Sequence, residues 1–161
     1  MWRIIRSLYK EIKSCIILGP EKTRYFDINA GVRQGCVLSP ILFSIFINGM
    51  AKDIIESGIG IPIRKKLISM LLYADDIVLL TKNQKYLQKG MNIIAKFGKK
   101  WRCKYSAKKT QVIVFGKRIA KRKWKMGEID IEQVNSYKYL GLETQEKLVW
   151  KLFKQRLLDK A

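Results

Sequence analysis

Two short apolar runs that flank a pair of aspartates constrain the fold of this chain more than any other feature. Residues 68–73 read Ile-Ser-Met-Leu-Leu-Tyr and residues 77–80 read Ile-Val-Leu-Leu, with Ala74, Asp75 and Asp76 between them. Apolar runs of this length around a short polar tip are typical of a β-hairpin. We therefore predict a hairpin with two buried arms that carries both carboxylates at its tip.

The aspartate pair has two interpretations when only its own residues are considered. Aspartate is a frequent turn former, so the pair can be a plain polar turn. Two adjacent carboxylates between apolar runs also favour a positive partner, and Mg²⁺ takes carboxylate oxygens together with substrate phosphates. The residues around Asp75 and Asp76 leave these two interpretations evenly matched.

Periodicity predicts the other elements of the chain. The predicted helices cover residues 2–18, a nearly all-apolar core helix opened by Ser39 and Pro40 that runs to about residue 57, residues 87–101 and residues 146–160. The predicted strands cover residues 24–29, 111–115, 129–134 and 136–140. This order predicts an α+β fold in which a layer of antiparallel strands is backed by helices.

The charge of the chain is strongly positive and unevenly placed. Lys and Arg number 33 against 13 Asp and Glu, a net charge of +20, and residues 77–127 hold 16 basic residues and no acid. Such a zone can be a solvated lysine face, but solubility surfaces usually mix signs, so contact with nucleic acid is favoured. The aromatic residues Trp101, Tyr105 and Trp124 in this zone are either base-stacking platforms or core residues.

Missing residue types exclude several classes of protein. The chain has no histidine, which excludes a Ser-His-Asp triad, a Cys-His dyad and a His-ligated zinc site. Cys15, Cys36 and Cys103 are odd in number and widely spaced, which favours a reducing compartment. With no signal-peptide pattern, we expect an intracellular protein, nuclear or cytoplasmic, that is not secreted. The uncharged residues 34–51 are interpreted as a turn that leads into the buried core helix and not as a membrane span. A membrane partner is not expected, and a basic helix on a membrane surface is a minor alternative.

Four ordered segments resemble a reverse transcriptase palm, in particular that of the non-LTR (LINE-like) retrotransposon group. They are GVRQGCVLSP at residues 31–40, YADD at 73–76, KKTQVIVF at 108–115 and YKYLGL at 137–142. The third is similar to the lysine-containing segment of the family, and the fourth is similar to its primer grip. The resemblance implies an RNA-directed DNA polymerase that uses Mg²⁺ or Mn²⁺, with an RNA template, a DNA primer and deoxynucleoside triphosphates as partners.

The resemblance also implies roles for individual residues. Asp75 is the metal-binding carboxylate, Asp76 assists it, and Lys109 lies near the triphosphate, although the neighbouring Lys108 fits almost as well. Residues implied in binding template, primer or nucleotide by the motifs are Arg33, Gln34, Gly35, Tyr73, Tyr139, Leu140 and Gly141. Those implied by the basic zone are Lys117, Arg118, Lys121, Arg122 and Lys123.

The family requires a further aspartate on a strand that precedes the GVRQG loop. The acids of residues 1–30 are Glu11, Glu21 and Asp27, and none has the matching context. We therefore expect an incomplete palm that lacks the first catalytic-aspartate strand, with residues 1–145 as partial fingers and palm and residues 146–161 as the start of a thumb or connection helix. Such a chain is not expected to be active alone, and the rest of the element's polyprotein is a further expected partner. The alternative is a non-catalytic basic remnant that binds nucleic acid.

Overall fold

Helices and short strands alternate along residues 2–116 and 122–146, which are the residues that this computed structural model describes. The helices are α1 (Trp2–Leu8), α2 (Leu38–Glu56) and α3 (Gln84–Trp101). The strands are β1 (Lys13–Ser14), β2 (Ile17–Leu18), β3 (Glu21–Lys22), β4 (Phe26–Asp27), β5 (Ile61–Ile63), β6 (Lys66–Ile68), β7 (Met70–Tyr73), β8 (Asp76–Leu79), β9 (Gln111–Ile113), β10 (Trp124–Met126), β11 (Ile129–Val134), β12 (Ser136–Tyr139) and β13 (Leu142–Gln145). The mixture of helix and strand agrees with the predicted α+β class. The predicted helix at residues 146–160 lies almost wholly outside the described residues.

The strands of the described residues form six small sheets. Five are two-stranded and antiparallel, and the sixth has the order β10-β11-β9, with β11 antiparallel to β10 and parallel to β9. We expected one antiparallel layer backed by helices, whereas the described strands pair locally, mostly with their neighbours in sequence. Most of these strands have only two to four residues, so each offers few backbone groups to a further neighbour.

The chain divides into two compact units, residues 1–49 and residues 50–161. Unit 1 contains α1, β1–β4 and the first part of α2. In its described part the buried side chains are Ser39 and Ile47. Apolar side chains such as Trp2 and Leu18 are exposed, so unit 1 contributes little hydrophobic core of its own.

The first helix is shorter than the sequence predicts, because α1 ends at Leu8 and not near residue 18. Glu11 has a φ of 58°, in the left-handed region, and β1 then pairs with β4. Ile16 and Ile17 are β-branched and stiff at χ1, which favours extended backbone over helix. The predicted strand at residues 24–29 is present in shortened form as β4.

Helix α2 begins beside the predicted Ser39-Pro40 start and ends before Gly58, whose φ of 71° suits a helix C-terminus. The prediction that it lies in the middle of a core is wrong. Ile45 is 68% exposed, while Met50 and Ile54 are buried, because the described residues cover only part of the helix surface. By length and composition α2 could cross a membrane, with 28% of its apolar window buried, but core helices of soluble proteins pass the same test.

The hydrophobic core of unit 2 is built around α3. The most deeply buried apolar side chains are Met50, Ile54, Ile59, Met91, Ile94, Phe97, Val112, Trp124, Met126 and Ile131. Two glycines bring α3 close to its neighbours, since a Cβ on Gly90 would lie 2.6 Å from Leu79 Cδ2 and one on Gly98 would lie 2.5 Å from Tyr105 Cε2. Helix α3 therefore packs against the β7–β8 hairpin, which carries the aspartate pair.

Candidate functional site

The predicted hairpin around the aspartate pair is present. Strands β7 and β8 are antiparallel, from Met70 opposite Leu79 to Tyr73 opposite Asp76. Ala74 and Asp75 form the two-residue turn between them. The structure therefore places both carboxylates at the tip, as the sequence predicts.

The turn at the tip has an unusual backbone. Ala74 has a φ of 49°, a conformation that costs an L-residue roughly 1–2 kcal/mol. A positive φ at the first turn position is what two-residue hairpin turns need to match the twist of their strands, and glycine or asparagine is the usual choice. Alanine in this position fixes the tip in a costly geometry.

The tip projects into solvent. Asp75 lies in the turn, and Asp76 is the first residue of β8, directly opposite Tyr73 and on the same face of the hairpin. All three side chains are exposed. Because the pair is not buried, no charged partner is needed to offset desolvation, and the carboxylates are free to meet a ligand.

The prediction of two buried arms is wrong for β7. Leu71 is 45% exposed and Leu72 is 39% exposed, while the last three residues of β8 are half-buried. A two-stranded hairpin has two faces to cover. Helix α3 covers part of this one through the contact between Gly90 and Leu79.

The tip supplies two of the hard oxygen donors that Mg²⁺ or Mn²⁺ requires. Asp75 and Asp76 offer carboxylate oxygens, the donor type that these ions prefer. Within residues 2–116 and 122–146, no group of three or more metal-ligating side chains comes together. The donor chemistry of the tip fits the ion, but the described residues offer no three-residue site.

Residues 31–35 form a loop, as predicted, and this loop belongs to unit 1. Its Gly35 has a φ of 78°, which glycine adopts without strain. The Ser39 hydroxyl donates to the Arg33 carbonyl oxygen, and the Tyr9 hydroxyl lies 3.2 Å from Ser39 Oγ. The Arg33 guanidinium lies 5.9 Å from the centre of the Tyr9 ring. Tyr9 and Ser39 thus hold the segment that carries the proposed binding residues Arg33, Gln34 and Gly35.

The thiol of Cys36, at the end of this loop, differs in pKa from the thiol of Cys103 in unit 2. A hydrogen bond from the Leu38 backbone N–H lowers the pKa of the Cys36 thiol against the opposing effect of partial burial, with help from Tyr9 and Ser39. Burial raises the pKa of the Cys103 thiol. Thiolate character is therefore higher at the loop.

Lys109 lies in a tight turn that ends at β9. The backbone N–H groups of Lys109 and Thr110 both donate to the Ser106 carbonyl oxygen, at 3.2 and 2.9 Å. Lys108 and Lys109 are both exposed. The Tyr137 hydroxyl donates to the Lys109 carbonyl oxygen at 3.4 Å. The lysine-containing segment is thereby joined to the segment that resembles the primer grip.

The segment that resembles the primer grip is also a hairpin. Strands β12 and β13 pair from Ser136 opposite Gln145 to Tyr139 opposite Leu142. Leu140 and Gly141 form its turn with φ values of 48° and 83°, the two positive angles of a type I′ turn. Tyr139 is half-buried, and Leu140 and Gly141 are exposed.

The basic residues near β10 are placed only in part. Lys117, Arg118 and Lys121 lie outside the described residues, while Arg122 and Lys123 are exposed just before β10. Those two line a surface cavity of about 360 Å³ together with the acidic residues Asp130 and Glu132. The positive charge at this point is therefore partly offset by nearby carboxylates.

The aromatic residues of the basic zone differ in exposure. Trp124 is 4% exposed and its Nε1–H donates to Gln133 Oε1 at 3.1 Å, so it is a core residue and not a stacking platform. Tyr105 is half-buried and donates to the Ile94 carbonyl oxygen. Trp101 at the end of α3 keeps about half of its surface exposed.

Comparison with known proteins first assigns the class. A family model for the reverse transcriptase (RNA-dependent DNA polymerase) matches residues 2–144. The chain therefore belongs to the reverse transcriptase family.

Individual relatives then identify the group within that class. The chain is 25% identical over 157 residues to the RNA-directed DNA polymerase from mobile element jockey of Drosophila melanogaster. The alignment covers 93% of this chain and 17% of that protein. The jockey polymerase of Drosophila funebris is 26% identical over 160 residues, which are 94% of this chain and 17% of that protein. The Retrovirus-related Pol polyprotein from type-1 retrotransposable element R2 of Popillia japonica is 36% identical over 84 residues, which are 51% of this chain and 12% of that protein. These relatives confirm the resemblance to non-LTR retrotransposon polymerases, and the chain spans 17% of the length of the jockey proteins.

Proposed function

We propose that this chain serves as the catalytic core segment of a retrotransposon RNA-directed DNA polymerase, with the β7–β8 tip as its metal-holding site. The observation that carries the proposal is the exposure of Asp75 and Asp76 on a two-residue turn, with Tyr73 on the same face as Asp76. Family membership over residues 2–144 supports it. The proposed substrates are an RNA template, a DNA primer and deoxynucleoside triphosphates.

The residues of the chain take separate roles in this proposal. Asp75 and Asp76 would hold Mg²⁺ or Mn²⁺, and an ion bound there would supply the positive charge that activation of the primer hydroxyl and the triphosphate require. Lys109 adds a positive charge near the triphosphate. Gln34 and Gly35, held through Tyr9 and Ser39, contact the template–primer. Tyr73 and the turn at Leu140 and Gly141 contact the primer end.

We further propose that the chain is not a competent polymerase alone. Two carboxylates at one tip are a weak ligand set for a small, strongly hydrated ion, and no third acid joins them within the described residues. A carboxylate from the longer polyprotein would complete the site in a partial palm and fingers arrangement. We also propose an intracellular location, because cysteines that are odd in number and widely spaced favour a reducing compartment.

Metal binding by the full chain tests the proposal without depending on activity. Titration with Mn²⁺, followed by electron paramagnetic resonance, is expected to show weak binding that falls at least about tenfold in the Asp75→Asn, Asp76→Asn variant. The matched control is Asp53→Asn, which removes an exposed acid on α2 and is expected to leave binding unchanged. Equal Mn²⁺ binding by all three proteins would refute the metal site.

Primer extension tests the claim of incompleteness. On an RNA template with Mg²⁺, we expect no extension above background by the chain alone. Robust incorporation that Asp75→Ala abolishes would show that the chain is a complete polymerase and would overturn this part of the proposal.

A second candidate function is a non-catalytic module that binds nucleic acid. The absence of acids from residues 77–127 favours it. RNA affinity that is the same in Asp75→Asn and wild type, with and without Mg²⁺, would favour this alternative.

Under either function, replacing Lys121, Arg122 and Lys123 by Ala is expected to weaken RNA and DNA binding alike and to flatten the salt dependence of binding. A loss confined to one nucleic-acid sequence would contradict that expectation.

A further inference from the structure

The solvent-facing side of α3 carries a stripe of lysines. They are Lys85, Lys89, Lys96, Lys99 and Lys100, and all five are exposed. At roughly 100° per residue their positions fall within one stripe about 100° wide, with Asn92 in the gap between Lys89 and Lys96. At a rise of about 1.5 Å per residue the stripe is about 22 Å long. We call these five residues the α3 lysine stripe.

The opposite side of α3 is largely buried in unit 2. Met91, Ile94 and Phe97 are buried in the core of unit 2. Gly90 packs against Leu79 of the β7–β8 hairpin. The stripe therefore points away from the hairpin, and the apolar side of the helix is not available for insertion into a membrane.

The stripe also lacks the mixed signs of an ordinary soluble surface. Helix α3 contains no acidic residue, and exposed Arg102 and Lys104 follow directly after it. By contrast, the exposed side of α2 pairs Lys52 with Glu56 at 3.8 Å. Like charges within one helix face repel each other, so a bound polyanion would relieve a repulsion that the stripe otherwise carries.

We propose that the α3 lysine stripe binds the phosphodiester backbone of single-stranded nucleic acid, at a surface separate from the β7–β8 tip. Charge contacts of this kind release counterions and carry little sequence preference. The stripe would hold a strand outside the catalytic site while another part of the same or a second strand is at the tip. The shared chemistry is the phosphate backbone, and the strand can be RNA or DNA.

The test uses the full chain and a triple variant, Lys85→Gln, Lys96→Gln, Lys99→Gln. Lys89 and Lys100 are left in place because Lys89 Nζ donates to the Ser57 carbonyl oxygen and Lys100 lies over the Trp101 ring. The matched control removes three exposed lysines elsewhere, Lys13→Gln, Lys65→Gln, Lys66→Gln. Glutamine is a good helix former, and far-UV circular dichroism checks that α3 persists.

Fluorescence anisotropy with single strands of about 20 nucleotides, one RNA and one DNA, measures affinity at several salt concentrations. We expect the stripe variant to bind at least about tenfold more weakly. The slope of log K against log salt should become shallower by about 2, because each of the three lost phosphate contacts contributes roughly 0.7 to it. The control variant should lose far less. A loss in the RNA arm alone, the DNA arm alone or both supports the proposal and names the strand.

Two results would overturn it. One is an equal loss of affinity in the stripe and control variants, since that would reflect net charge only. The other is a stripe variant that keeps wild-type affinity for both strands. If that variant also no longer binds phosphatidylserine vesicles, the stripe belongs to a membrane surface. The same measurement in the Asp75→Asn, Asp76→Asn background is expected to give the same loss, so the stripe can stand even if the metal site fails.

Discussion

The two units of the chain both carry motifs of the reverse transcriptase family, but they are stabilised in different ways. Unit 2 buries Met50, Ile54 and Ile59 completely, and it also buries Met91, Ile94 and Phe97 of α3. Unit 1 leaves Trp2 and Ile17 largely exposed, and its strands have two residues each. Residues that resemble catalytic motifs are thus placed on one well-packed unit and on one with little core.

The difference shows that a motif can be held in place without a hydrophobic core around it. In unit 2 the aspartate hairpin is fixed by burial, through Leu79 against Gly90 of α3. In unit 1 the GVRQG loop is fixed by polar contacts among Tyr9, Ser39 and Arg33. Substitutions that remove apolar volume should therefore act on unit 2, whereas substitutions that remove single hydroxyl groups should act on unit 1.

The largest expected effect is on the core of unit 2. Ile54→Ala removes a side chain that is 0% exposed, and Ile17→Ala removes one that is 68% exposed. Truncation of a buried isoleucine lowers the free energy of unfolding by roughly 2–5 kcal/mol, whereas an exposed site changes it by about 0.5 kcal/mol or less. Urea unfolding of both variants measures the difference.

Equal destabilisation by Ile54→Ala and Ile17→Ala would break the comparison between the units. It would mean that Ile17 is buried in solution against a surface that this chain forms with itself. The protein concentration dependence of unfolding would then distinguish association from folding.

A smaller, local effect is expected in unit 1. Ser39→Ala removes the hydroxyl that donates to the Arg33 carbonyl oxygen, and Tyr9→Phe removes the hydroxyl beside it. Each change is expected to cost about 1 kcal/mol of local stability. Hydrogen exchange at residues 31–37 should accelerate about fivefold, while α3 stays unchanged. Tyr25→Phe, at an exposed tyrosine of the same unit, is the control, and faster exchange in that variant would argue against a specific hold by Tyr9.

The smallest effect is chemical. The Leu38 N–H lowers the pKa of the Cys36 thiol, and burial raises the pKa of the Cys103 thiol. Because the thiolate is the reactive form, iodoacetamide at about pH 7.5 should modify Cys36 several-fold faster than Cys103. The ratio of the two rates should fall as pH rises, because Cys103 then gains more thiolate. Peptide mass spectrometry of a Cys15→Ser variant measures both rates, and faster labelling of Cys103 would contradict the assignment.

Sequence periodicity predicted the elements whose signal is local. The β7–β8 hairpin, α3 and the end of α2 at Gly58 are where the pattern places them. Burial was harder to predict, because it depends on which faces neighbouring elements cover. Exposed Ile45 and Leu71 illustrate this point, since both have the apolar character of core residues.

The short hairpins were also missed. Strands β5 and β6 have three residues each, and β10 lies beside the basic run that we interpreted as a surface for nucleic acid. Three residues are too few to show a period of two against the background of the sequence. The alternation of buried Trp124, exposed Lys125 and buried Met126 is visible once the strand is known.

The candidate site was predictable only where the family motifs reach. The apolar runs drew attention to Asp75 and Asp76, and the resemblance supplied the roles proposed for them and for Gly35, whereas the contact made by Tyr9 was missed. Tyr9 meets Ser39 across 30 positions of sequence, and no local pattern signals such a contact. The exposure of the aspartate pair could not be predicted from the sequence either, because the apolar residues that flank the pair favour a buried hairpin.

The alanine at the tip of the aspartate hairpin has a consequence for how sharply the two carboxylates are positioned. Glycine in place of Ala74 would adopt the left-handed φ of 49° without steric cost. It would also open many other backbone conformations to the tip, and each would direct Asp75 elsewhere. Alanine restricts the number of such states at the expense of strain. Alanine therefore narrows the distribution of carboxylate positions at a cost in stability, which suits the proposed contact of the tip with a ligand of fixed geometry.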